Sequence, residues 1–140
     1  MNGFLLDTNV ISELIKPEPD RNVVRWIHET DETILFLSVL TLGEIRSGIE
    51  RLNAGRRRGQ LESWVTVDLR LRFQDRILSL DEAIAERWGV LSARAAKNGR
   101  PMPVIDGLLA ATALHHDLRF VTRNDADVSG SGLATLNPWR

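Results

Sequence analysis

Apolar residues along this chain come in short bursts, separated by longer stretches in which they recur every third or fourth position. The bursts read as buried strands and the spaced stretches as amphipathic helices. Phe4-Leu5-Leu6 is the first burst, closed by Asp7. Thr8 or Asn9 then caps a short helix through Ile15, which Pro17 and Pro19 stop. Val23, Val24 and Ile27 keep helical spacing behind Asp20, a candidate N-cap. Residues 34–37 form the second burst, and Ser38 caps a helix with apolar positions at Leu42, Ile45, Ile49 and Leu52. Gly55 ends that helix, before Arg56-Arg57-Arg58 and a polar helical stretch to about Phe73.

Residues 77–80 are the third strand. Asp81 begins a long helix to about Lys97 that buries Ile84, Trp88 and Leu91. A Pro- and Gly-bearing loop follows over 98–103. Asp106 opens a helix through His116, with Leu109, Ala113 and Leu114 inward. Residues 119–122 form the fourth strand, 123–132 a polar loop, and 133–136 a candidate fifth strand. The alternation predicts an α/β sandwich: a central, mainly parallel sheet flanked by helices. A chain of 140 residues fits one domain, 1–140.

Composition narrows the chemistry. Without Cys there are no disulfides, thiol nucleophiles or zinc-thiolate sites. The net charge of −1 gives no general electrostatic capture of nucleic acid, although it leaves room for a local basic patch such as Arg56-Arg57-Arg58. That triplet reads either as a solvated helix end or as a phosphate contact. The N-terminus lacks a basic leader, and no uncharged apolar run approaches ~18 residues, so a cytoplasmic protein with no membrane segment is expected. His28, His115 and His116, and Trp26, Trp64, Trp88 and Trp139, read as packing residues on helices or as interface anchors. Neither a Walker A loop, a G-x-G-x-x-G loop nor a G-x-S-x-G elbow is present.

The remaining candidates are acids beside apolar segments. Asp7 follows a strand, where ligands bind in open parallel sheets, and it equally serves as a helix cap. Glu44 lies in an otherwise apolar helix on the flank shared with Thr41 and Gly48, where small neighbours admit a ligand; alternatively it pairs with Arg46 or Arg51. Asp106 heads an apolar helix and either caps it or carries a second role. Asn124, Asp125 and Asp127 follow the fourth strand. Two carboxylates ~4 Å apart repel by ~4 kcal/mol at an effective dielectric near 20. A converging set therefore needs protons, Arg partners or a divalent cation. All-oxygen ligation favours Mg²⁺ or Mn²⁺ over zinc, and such ions promote phosphodiester hydrolysis. Asp-based phosphotransfer and phosphatase domains also use a strand-end Asp. The phosphatases place a second Asp two positions on, where this chain has Asn9, and receivers use a late Lys, whereas none follows Lys97.

Five collinear blocks resemble the PIN domain, and within it the VapC/FitB-like toxins of bacterial toxin–antitoxin pairs: Leu6-Asp7-Thr8-Asn9-Val10-Ile11-Ser12-Glu13, Ser38-Val39-Leu40-Thr41-Leu42-Gly43-Glu44-Ile45, Asp106-Gly107-Leu108-Leu109-Ala110-Ala111-Thr112-Ala113, Val121-Thr122-Arg123-Asn124 and Asn137-Pro138-Trp139. The resemblance implies a Mg²⁺- or Mn²⁺-dependent ribonuclease acting on RNA, a homodimer, and inhibition by a small VapB-type antitoxin. It carries three metal-site acids onto Asp7, Glu44 and Asp106. For the fourth position it ranks Asp127 first, then Asn124, with Asp125 a third candidate. Asn9 and Thr122 correspond to residues that orient Asp7 and the loop. A non-catalytic RNA-binding or scaffold module on the same fold is the other reading.

Overall fold

In the computed structural model, which describes residues 2–140, five parallel strands lie in the order β3-β2-β1-β4-β5. They are β1 (Phe4–Leu6), β2 (Leu35–Ser38), β3 (Ile77–Leu78), β4 (Arg119–Val121) and β5 (Thr135–Leu136). Helices α1 (Thr8–Leu14), α2 (Arg21–Glu29), α3 (Val39–Glu50), α4 (Arg56–Ser63), α5 (Leu69–Arg72), α6 (Glu82–Lys97) and α7 (Val104–His115) make the crossovers. The expected sandwich is therefore the one observed. The chain winds outward from β1 through β2 to β3, then returns to the other side of β1 as β4. The carboxyl ends of β1 and β4 thus flank a topological switch point, where open α/β sheets form a crevice.

Period-two alternation assigns the sheet residues to two cores. Leu6, Leu35, Leu37 and Val121 pack with Val10, Val23, Ile45 and Phe73 on the face covered by α1 to α5. Leu5 and Phe120 pack on the other face with Leu109, Ala110 and Ala113 of α7. Trp88 of α6 lies against Gly107 of α7, so closely that a Cβ at Gly107 would stand 3.0 Å from the indole nitrogen.

Several local expectations shift. Asp7, not Thr8 or Asn9, caps α1, accepting from the Thr8 N–H. Ile34 ends a 3₁₀ turn (Glu32–Ile34), and β2 starts one residue later than expected. The third strand keeps only Ile77–Leu78, and the fifth only Thr135–Leu136. Ser38 caps α3 as expected, but the helix stops at Glu50 and buries Thr41, Ile45 and Ile49, with Leu42 half-buried. Leu52 lies beyond the helix end and is exposed. Gly55 precedes α4, so the arginine triplet starts a helix instead of ending one. Arg58 binds Glu50, Glu62 and the Leu52 carbonyl, and Arg57 donates to the Ile15 carbonyl. Both are therefore clamps that fix α4. The stretch expected to be one polar helix passes through a π-turn (Trp64–Asp68), in which the Leu69 N–H donates to the Trp64 carbonyl. On α6 only Ile84 is fully buried, while Trp88 and Leu91 are half-buried. Among the described residues, no helix is long and apolar enough to cross a membrane.

Candidate active site

Asp7 is placed by the last turn of β1: its N–H donates to the Val121 carbonyl of β4 at 2.9 Å. Its carboxylate is almost wholly buried, with one oxygen accepting from the Thr8 N–H at 2.7 Å and the other from the Thr122 hydroxyl at 2.8 Å. Burial pushes the Asp7 carboxyl above its usual range, and the charges of Glu44 and Asp127 push the same way. The two hydrogen bonds oppose that shift without cancelling it. Asp7 thus caps α1 and also stands at the mouth of the crevice.

Thr122 is the hinge of the next segment. Its hydroxyl, spent as a donor on Asp7, accepts from the Asn124 N–H at 3.1 Å and more loosely from the Asn9 amide at 3.5 Å. The Asn124 carbonyl accepts from the Asp127 N–H at 3.0 Å, closing a 3₁₀ turn (Asp125–Val128) that carries Asp127 toward the crevice. Asn124 and Asp127 are both exposed, and it is the charge of Asp127 that acts on Asp7 and Asp106. Asp125 is drawn elsewhere, into an ion pair with Arg140 at 3.6 Å.

Glu44 reaches the crevice from α3 and accepts from the Thr8 hydroxyl at 2.5 Å. It takes up this bond in place of the possible pairing with Arg46 or Arg51; Arg46 donates to Thr66 instead. Thr8 is the residue that sequence reasoning missed as part of the site. Its position directly after a strand-end acid was the available signal, and it was spent on a capping role that Asp7 fills.

Asp106 sits in the first turn of α7, behind Pro103 at the cap position, so it does not cap the helix. Its carboxylate receives no hydrogen bond among the described residues. Burial first, then the charges of Asp7, Asp127 and Glu44, raise its pKa to about 6. The helix N-terminus favours the anion, and this influence is outweighed. The structure thus brings Glu44 and Asp127 within electrostatic reach of both Asp7 and Asp106, while Asp125 pairs with Arg140.

The donors are all oxygen, which suits a hard divalent cation. One further acceptor is unspent: the Asn9 side-chain oxygen is buried without a hydrogen-bond partner, while the amide nitrogen of the same side chain reaches Thr122. Among the described residues, no three acids or histidines are gathered tightly enough to enclose an ion as they stand. The donor chemistry fits a cation that would draw the acids together.

The sequence of residues 4–129 matches the family described as PIN domain. A relative named VapC ribonuclease Y4jK, from Sinorhizobium fredii, is 36% identical over 136 residues, covering 97% of each chain. Toxin FitB from Neisseria gonorrhoeae is 34% identical, covering 97% of this chain and 98% of its own. The crystal structure of FitAcB from that organism superposes with a TM-score of 0.93 at 34% identity, covering 98% of this chain and 99% of the other.

Proposed function

The chain belongs to the PIN domain family, and from that premise we propose that it is an endoribonuclease of the VapC/FitB type, the toxin of a toxin–antitoxin pair. The observation that supports this reading is the hydrogen-bonded set at the switch point, Thr122 to Asp7 and Thr8 to Glu44, with Asp106 and Asp127 near enough to Asp7 for the charges to act on one another. The names of the relatives as ribonuclease and toxin support it. We read residues 1–140 as a single domain, acting in the cytoplasm on RNA, as a homodimer, and restrained by a small VapB-type antitoxin.

In this reading Asp7 and Asp106 hold a divalent cation, Mg²⁺ or Mn²⁺, and Glu44 and Asp127 complete the site. Once bound, the ion supplies Lewis-acid chemistry, offsetting charge on the phosphodiester and making water a better nucleophile near neutral pH. The protein's own work is positioning. Thr122 fixes the rotamer of Asp7 and the entry of the loop, and Thr8 fixes Glu44 against α1. The Asn9 side-chain oxygen is a buried, unspent acceptor next to the Asn9 amide's bond to Thr122, available to a ligand or an ordered water. Burial of Asp7 behind Thr8 and Thr122 keeps bulk water from screening the charges that meet the substrate.

The test is cleavage of single-stranded RNA. Activity is expected with Mg²⁺ or Mn²⁺, to vanish in excess EDTA, and to fall by at least about a hundredfold in Asp7→Asn and in Asp106→Asn. Cleavage that persists in EDTA, or in both variants, overturns the reading.

A further inference from the structure

Beside Glu44, the outer face of α3 and the start of α7 enclose an open groove of about 420 Å³. Its lining includes Leu40, Gly43, Glu44, Ser47 and Arg51 of the α3 segment, and Ile105 from α7. The volume falls in the ~300–1,000 Å³ range of sites that take small molecules. Both walls adjoin the acid cluster: Glu44 is itself in the lining, and Ile105 immediately precedes Asp106.

Two residues here lack an explanation in the fold. Gly43 stands in the middle of α3, where glycine is the poorest helix former after proline. Neither backbone nor packing requires it. Its φ is not positive, and an added Cβ would meet nothing within 4 Å. What its missing side chain leaves is space in the groove wall. Arg51 stands seven residues beyond Glu44, about 10 Å along the helix axis. Its guanidinium has no ion pair or hydrogen bond among the described residues, whereas Arg57 and Arg58 nearby are both engaged.

Resting on the ribonuclease reading, we propose that this groove seats the RNA strand flanking the scissile phosphate, with Gly43 keeping the wall low for a nucleoside and Arg51 binding a backbone phosphate. Charge argues for a nucleic-acid strand. The acid cluster repels a polyanion at the cleavage point, so the strand needs a cation where it leaves, and Arg51 is the free one in the lining. The rise of ~10 Å along the helix axis from Glu44 to Arg51 sets the cation apart from the cleavage point, where a neighbouring phosphate of the strand would pass. The apolar floor of Leu40 and Ile105 offers a dry contact to a base or sugar face.

The experiment compares wild type, Gly43→Ala, Gly43→Leu and Arg51→Ala. It reads cleavage kinetics with Mg²⁺, and anisotropy of a short fluorescent single-stranded RNA in EDTA. Gly43→Leu fills the groove without touching the core and is expected to raise KM and Kd at least about fivefold, with kcat changed less than about twofold. Gly43→Ala is expected to fall between Gly43→Leu and wild type. Arg51→Ala is expected to weaken binding and reduce the slope of log affinity against log salt by ~0.7. Circular dichroism melts confirm that the variants are folded. Unchanged KM and Kd in both Gly43→Leu and Arg51→Ala overturn the groove while leaving the ribonuclease reading intact. If the variants handle RNA as wild type does but lose a co-expressed antitoxin, the groove belongs to the protein partner and the proposal fails. A wild type that neither binds nor cuts RNA removes the proposal together with the reading it rests on.

Discussion

Asp106 is the residue at which the site's electrostatics can be measured. Its carboxyl is raised from the ordinary 3.8 to about 6, so between those values the folded chain holds a proton that the unfolded chain has released. Stability therefore falls as pH rises through that window, and the deficit is complete above it. Asp106→Asn removes the deficit. In EDTA at about pH 7.5 the variant is expected to melt roughly 3–6 °C above wild type, a gain of ~1 kcal/mol after discounting for solvent screening. At about pH 4 the two should coincide. Saturating Mg²⁺ should stabilise wild type by ~2.7 kcal/mol at a hundredfold excess over Kd and the variant much less. Thermal melts across pH, with EDTA and with Mg²⁺, read all of this; a variant that melts below wild type at pH 7.5 contradicts it. Asp7, Glu44 and Asp106 were legible in the sequence as candidates because each is an acid set beside or within an apolar run. For the fourth position the sequence offered only a ranking, Asp127 before Asn124 and Asp125. Asn124, Asp125 and Asp127 share one polar loop, and only the turn closed by the Asn124 carbonyl, with the ion pair to Arg140, separates Asp127 from Asp125.

Among the elements, two helix glycines make opposite demands. Gly107 is closed by Trp88, and Gly43 faces open space. Gly107→Val drives methyls into the indole and is expected to destabilise by about 1–3 kcal/mol, loosening α6 from α7. Gly43→Ala should instead gain up to ~1 kcal/mol of helix stability. Denaturant melts of the pair check both signs, and equal effects would contradict the packing described for α6 on α7. Neither glycine could be ranked from sequence, since both sit in helical patterns and only the neighbouring helix distinguishes them. The same holds for the boundary errors. Gly55 reads as a helix stop by composition, yet Arg58 bridges Glu50 and Glu62 across that turn and makes it the start of α4. Thr41 is polar and was placed on a flank, but the fold buries it at the Thr8 hydroxyl, where the two share a hydrogen bond of 3.2 Å. Strand positions were easier, because an apolar burst buried on both faces needs no partner to be recognised.

For the molecule as a whole, the homodimer proposal has a surface to act on. Helix α6 exposes most of its outer face, Val90 among it, and Val67 and Leu71 add an exposed apolar pair four residues apart on the α4–α5 segment. Light scattering at tens of micromolar is expected to give twice the chain mass of 15.8 kDa; a monomer at that concentration removes the dimer. The edge strands β3 and β5 are two residues each, too short to template pairing with a further sheet.

The hydrogen bond from Thr122 to Asp7 spans 115 positions. Around it, β5 pairs with β4, the Asn137 amide holds the Arg123 carbonyl, and the Arg123 guanidinium lies over the Trp139 ring. Synthesis runs from the amino end, so Asp7 leaves the ribosome long before any of these partners exists. A nascent chain carries the first acid but not its orienting hydroxyl, and it carries Asp127 before the residues that brace the loop. The crevice forms only once β4 has been made and has docked beside β1, a long-range event slow by the ordinary relation between contact order and rate. Until β4 has been made, β1 lacks that neighbour and Asp7 lacks the Thr122 hydroxyl, so a chain broken off early carries the first acid without the partner that orients it.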